Sequence, residues 1–177
     1  MNILVLGIGN LLMADDGIGV RVIQLLTDRY RFPGEVNLVE GGTLGLDLLP
    51  QVQDAQRLLI VDAVETGAAP GTLVRYAGDA IPSTPESKLS PHQVGLKDLL
   101  TLAAALGGAP EEIVLWGVQP ESVTVSMELS AAVEAQLEPL VAKLLEELAC
   151  WGISPLPTSS SDLDSTTGTR SLSANPR

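Results

Sequence analysis

Short apolar runs, each closed by a glycine-rich turn, alternate with stretches of helical periodicity along most of this chain. Ile3 to Leu6 is an aliphatic run ending in Gly7-Ile8-Gly9-Asn10, the pattern of a strand followed by a tight turn. From Asp16 the period lengthens. Ile18, Val22, Leu25 and Leu26 share one helical face, while Arg21, Asp28 and Arg29 point away. Val36 to Val39 reads as a second strand, ending at Glu40-Gly41-Gly42-Thr43. Thr43 is placed to cap a short helix carrying Leu44, Leu46, Leu48 and Leu49.

Arg57 to Val64 holds Leu-Leu-Ile-Val, the most strand-like run in the chain, and terminates at Asp62-Ala63. Thr72 to Tyr76 follows too closely for a crossover helix, so it is expected to pair antiparallel at or near an edge. Ser90-Pro91 opens a predicted helix running to about Leu106, with Ser90 as cap, Pro91 at the first helical position and Gln93 three residues on. Glu112 to Val118 is the last strand, and Leu129 to Leu148 carries one long amphipathic pattern. This alternation predicts a three-layer α/β fold: a mostly parallel five-stranded sheet with one antiparallel strand and helices on both faces. Residues 1–154 form one domain in this reading. Residues 155–177 are Pro-, Ser- and Thr-rich, lose periodicity and are expected to be a flexible tail.

Composition narrows the function. At 177 residues with 45% apolar content, the chain is long enough to bury a core. Aromatics are only 3%, so that core is aliphatic, as suits strands covered on both faces. The net charge of −12 disfavours nucleic acid and anionic membrane surfaces, and favours a cation or a basic partner segment. The segment from Ser154 onward is neutral, because Asp162 and Asp164 offset Arg170 and Arg177, so the acidity belongs to the domain. The single cysteine, Cys150, allows no intrachain disulfide and no thiolate cluster, and packing is its expected role. With no signal-like start and no apolar run of spanning length, a cytoplasmic location is expected.

In an open α/β sheet, ligands bind beyond the carboxyl ends of the strands. Asp15 and Asp16 follow the first strand, Glu40 to Thr43 the second, Asp62 ends the third, and Glu121 follows the last. His92, the only histidine, begins the helix entered after the edge strand. Each has a plain alternative. An acid at position 16 can cap the following helix; the adjacent Asp15 then remains to be explained, unless a cation relieves the repulsion between the two. Asp62 within an aliphatic strand is costly without a partner. The positive end of a Ser90-capped helix would keep His92 neutral, the form that ligates metal. Asp16, Asp62 and His92 together make an oxygen–nitrogen site that accepts zinc, nickel, cobalt or manganese, and also cadmium. A dinucleotide fingerprint fails, because Leu12 stands where the third glycine belongs. No serine-hydrolase elbow and no pepsin-like Asp-Thr-Gly loop is present.

Several segments taken in order resemble the hydrogenase maturation proteases. They are Ile3 to Val20 with Gly-Ile-Gly-Asn and Asp-Asp-Gly, Glu-Gly-Gly-Thr at 40–43, Ile-Val-Asp-Ala at 60–63, Leu-Ser-Pro-His-Gln at 89–93 and Val-Gln-Pro-Glu-Ser at 118–122. The resemblance spans about Met1 to Leu148. It implies a twisted α/β sheet and an endopeptidase that removes a C-terminal peptide from the nickel-loaded large subunit of nickel–iron hydrogenase. It also implies metal contacts from Asp16, Asp62 and His92, with nickel supplied by the substrate and zinc or cadmium able to substitute. Gly41, Gly42 and Thr43 match a turn expected to contact the substrate tail. The expected partner is the large-subunit precursor; the group that activates water and the oligomeric state are left open. A self-sufficient zinc hydrolase and a non-catalytic nickel-binding maturation factor are the alternatives.

Overall fold

The computed structural model describes residues 1–43, 45–83 and 95–158. Its centre is a five-stranded sheet in the order β3-β1-β4-β6-β5. The strands are β1 (Ile3–Ile8), β3 (Val36–Gly42), β4 (Arg57–Ala63), β5 (Leu73–Ala77) and β6 (Glu112–Val118). β3, β1, β4 and β6 run parallel, and β5 lies antiparallel to β6 at the edge. The expected three-layer α/β architecture is therefore the one observed, with the antiparallel strand where the short connection required it.

Alternating side chains of the strands feed two cores. Val5, Leu59, Val61 and Val114 pack under α1 (Ile18–Arg29) and α5 (Leu137–Cys150). Leu4, Leu6, Leu58, Ile60 and Leu115 pack under α2 (Leu49–Asp54) and α3 (Leu96–Ala105). Strands covered on both faces read as aliphatic runs for this reason. α1 approaches the sheet without clearance: a Cβ on Gly19 would stand 2.3 Å from the carbonyl oxygens of both Ile8 and Val61. Only glycine allows that contact, which seats α1 against the ends of β1 and β4.

Four expectations change in detail. Thr43 does not cap α2, whose N-cap is Leu48 after a 3-10 turn over Gly45–Leu48. The predicted 90–106 helix is described only as α3, and Gly95 ahead of it is extended (φ −66°, ψ 164°), so no helix continues through that residue from Ser90. Residues 84–94, His92 included, lie outside the described residues. The 129–148 pattern divides into α4 (Ala131–Glu134), capped by Ser130, and α5, because the Gln136 amide turns to the Val133 carbonyl at 2.9 Å, a 3-10-type bond that interrupts the α-helical series. Cys150 is exposed at the end of α5, so packing does not account for it.

Beyond Pro155, β7 (Leu156–Pro157) pairs antiparallel with β2 (Tyr30–Arg31), and the Thr158 amide donates to the Arg29 carbonyl at 2.8 Å. The rest of the expected tail, 159–177, lies outside the described residues.

Candidate active site

In this strand order, β1 connects through α1 to β3 on one side, and the chain then returns to β4 on the other side of β1. The carboxyl ends of β1 and β4 thus flank the topological switch point, the crevice where α/β sheets bind ligands. Asp16 lies in the turn after β1, and Asp62 is the penultimate residue of β4. Asp62 continues the Leu58, Ile60 alternation onto the face covered by α2 and α3.

The loop carrying Asp16 is tightly specified. Gly9 has φ +123°, and a Cβ there would stand 1.7 Å from the Asp16 carbonyl oxygen. The Asp16 carboxylate accepts the Asn10 amide at 2.8 Å. That bond closes the loop on itself, while α1 begins with no side-chain cap. Helix capping is therefore not what Asp16 does.

The two acids sense each other. Burial raises the Asp16 carboxyl, with the Asn10 hydrogen bond opposing. Burial pushes the Asp62 carboxyl up to about 8, the negative charge of Asp16 pushes the same way, and a bond from the Ala63 amide only partly offsets them. Near neutral pH such a pair holds a proton between two carboxyls of different affinity, the condition for dividing acid and base roles. A divalent cation would replace that proton and remove the repulsion, so the donor chemistry suits a metal with oxygen ligands. Among the described residues no group of three or more His, Cys, Asp or Glu is gathered for metal binding. His92, the third ligand named from the sequence, lies outside them.

The 41–43 turn reaches the same rim. The Gly9 amide donates to the Gly42 carbonyl at 3.0 Å, joining the turn after β3 to the loop after β1. Gly41 is buried, with Leu6 and Leu48 filling the space a side chain would need, whereas Thr43 is exposed.

Asp15 has a role that adjacency to Asp16 concealed. Its side chain is fully buried and turned to the loop after β6. One oxygen accepts the amides of Glu121 (2.8 Å) and Ser122 (2.9 Å) and the Ser130 hydroxyl (2.9 Å); the other accepts the Ser130 amide at 2.6 Å. Burial by itself would raise this carboxyl, but these donors outweigh it and hold the pKa below the usual value. Asp15 needs no cation. No local spacing announces this, because its partners lie more than a hundred residues away: 106 for Glu121 and 115 for Ser130.

At the opposite end of the sheet, an open cleft lined by Asn2, Glu35, Gln51 and Asp54 offers no comparable pair of acids. Asp54 is already engaged there by the Asn2 amide group at 2.9 Å.

A mostly parallel five-stranded sheet with an antiparallel edge strand and flanking helices is shared with known endopeptidases. The structure matches the hydrogenase maturating endopeptidase HybD from E. coli with a TM-score of 0.84 at 39% identity, covering 92% of this chain and 99% of that one. It also matches the [NiFe] hydrogenase maturation protease HybD from Thermococcus kodakarensis with a TM-score of 0.64 at 30% identity, covering 84% of this chain and 99% of that one. In sequence, the chain is 39% identical over 158 residues to the hydrogenase 2 maturation protease of Escherichia coli, covering 89% of this chain and 96% of that protein. It is 49% identical over 154 residues to the hydrogenase expression/formation protein HoxM of Azotobacter vinelandii, covering 86% and 74% respectively. The class is thus an α/β endopeptidase, a peptide-bond hydrolase. The hydrogenase maturation protease family model matches residues 20–147, and the chain belongs to that family.

Proposed function

We propose that this endopeptidase removes the C-terminal peptide from the nickel-loaded large-subunit precursor of a nickel–iron hydrogenase, in the cytoplasm. The observation that carries the reading is the coupled Asp16–Asp62 pair at the switch point of a chain belonging to this family. Asp16, Asp62 and His92 form the metal-contacting set in this reading, with His92 assigned from its Ser-Pro-His segment alone. Nickel arrives as part of the substrate, so a precursor lacking it loses the energy of that contact and is passed over.

Nickel, when bound, supplies Lewis-acid polarisation of the scissile carbonyl. The chain's own residues do the rest. Asp16, of lower proton affinity than Asp62, is the group placed to accept a proton from attacking water. Metal binding displaces the proton that burial holds on Asp62, so Asp62 serves as a ligand, and the proton taken up by Asp16 is the one passed to the leaving amine. The turn at Gly41, Gly42 and Thr43, held to the Asp16 loop through Gly9, lines the path of the substrate tail. No helix among the described residues is long and apolar enough to cross a membrane. The acidic charge also argues against nucleic acid as a partner.

The test is to incubate the protein with nickel-loaded and nickel-free precursor and measure precursor mass. Loss of a C-terminal peptide from the loaded sample alone is expected. Equal cleavage of both samples would remove nickel from the recognition step, and cleavage of neither would remove the substrate.

A further inference from the structure

The loop after β6 exposes apolar side chains although its backbone is firmly anchored. Val125 is 86% exposed, Met127 64% and, on the facing loop after β1, Leu12 57%. A parallel bridge joins Met13 to Ser126. The Ser126 amide donates to the Leu12 carbonyl at 3.0 Å, and the Ala14 amide donates to the Ser126 carbonyl at 2.7 Å. Residues flanking a bridged pair face away from it, so Leu12 and Val125 stand side by side, with Met127 two residues further along the same side. Asp15 fixes the start and end of the 121–130 segment through Glu121, Ser122 and Ser130. From α1, the Arg21 guanidinium donates to the Met127 carbonyl.

A loop free to rearrange would fold three large apolar side chains inward. Here a fully buried carboxylate and a two-bond bridge hold them out, and ordering an apolar surface in water is unfavourable unless something covers it. The ledge lies on the loop that carries Asp16, hence beside the switch-point crevice. Two exposed acids, Glu121 and Glu128, border it, within a chain of net charge −12. That pattern of apolar centre and acidic rim complements an apolar surface with a basic margin.

We propose that Leu12, Val125 and Met127 form a docking ledge for the large-subunit precursor, complementary to an apolar surface of it with a basic margin. The proposal rests on the function proposed above. Recognition of the precursor is then divided. The crevice contacts the metal and the tail, and the ledge grips the body of the folded subunit, so affinity and chemistry are separable.

The experiment measures binding and cutting independently on the same materials. Uncleaved nickel-loaded precursor is immobilised for a binding isotherm, and its cleavage in solution is followed by intact mass. Two variants are compared with wild type: Leu12→Ser/Val125→Ser/Met127→Ser together, and Val125→Glu alone, whose exposure spares the core. Both should weaken binding and raise KM by at least about tenfold, with kcat at saturation unchanged. Wild-type affinity should fall with added salt, and Glu121→Gln/Glu128→Gln should flatten that dependence. Wild-type-like binding and KM in both ledge variants, while wild type cuts normally, would overturn the ledge and leave the function standing. Loss of self-association in the variants with precursor affinity unchanged would assign the ledge to a second copy of this chain and overturn the proposal. Wild type that neither binds nor cuts the precursor would bring down the proposed function and the ledge together.

Discussion

Asp15 and Ser130, 115 residues apart, are joined twice: the Ser130 amide reaches one carboxylate oxygen at 2.6 Å, and its hydroxyl reaches the other at 2.9 Å. Through this contact the loop after β1 and the loop after β6 become one unit. Asp16 is the next residue, so the geometry of the candidate site depends on a carboxylate that points away from it.

Removing that carboxylate leaves buried donors without acceptors. Asp15→Ala should destabilise the protein by about 3 kcal/mol. Urea unfolding at pH 7 measures this. The folded pKa of Asp15 is depressed, so its contribution is present above the unfolded value of 3.8 and is lost as pH falls through the lower folded value. Wild type should therefore lose stability below about pH 4 more steeply than Asp15→Ala.

Asp62 has the opposite sign. Its folded pKa is raised to about 8 from 3.8, so its protonated form is the one the fold favours. Its ionisation therefore opposes folding, and stability declines as pH rises between those values. Asp62→Asn should melt at a higher temperature than wild type at pH 8, with the gap closing toward pH 4. Scanning calorimetry across that range is the measurement. A lower melting point at pH 8 would count against the strained carboxyl.

Added divalent metal should relieve the same repulsion. Nickel, zinc or cadmium should raise the melting temperature at pH 7 and release protons. Asp16→Asn and Asp62→Asn should each lose most of that response. His92→Ala tests the third ligand in the same assay. A substoichiometric metal content in the purified protein is expected if nickel comes with the substrate; stoichiometric zinc would instead favour a self-sufficient zinc hydrolase.

In the processing assay, Asp16→Ala, Asp62→Ala and His92→Ala should each cut precursor at least about a hundredfold more slowly while keeping the wild-type circular dichroism spectrum. Unimpaired cleavage by any one would strike that residue from the site.

Gly19→Ala tests how α1 is seated. A methyl group 2.3 Å from two carbonyl oxygens forces the helix off the sheet, and a loss of about 3 kcal/mol or failure to accumulate folded protein is expected. Urea unfolding or soluble yield reads this. Wild-type stability would mean that α1 sits further out.

The strands were legible because a run covered on both faces must be aliphatic throughout, and all five of the sheet appear where their runs fall. The antiparallel edge followed from the nine residues 64–72 between β4 and β5, too few for a crossover. Helix limits were less legible. The break after α4 and the extended Gly95 depend on what each segment packs against, and a period of apolar residues does not contain that information. The β2–β7 pair was unreadable, since two-residue strands carry no periodicity.

From sequence alone came the layer order of the fold, the family, and the placing of Asp16 and Asp62 at the carboxyl ends of strands, because each depends on local pattern or ordered motifs. Tertiary structure alone decided what two neighbouring aspartates do: Asp16 stays at the rim, coupled to Asp62, while Asp15 is consumed in hydrogen bonds to the distant 121–130 loop. The physical reason is that a carboxylate's role is set by which donors surround it, and here those donors come from the far end of the chain.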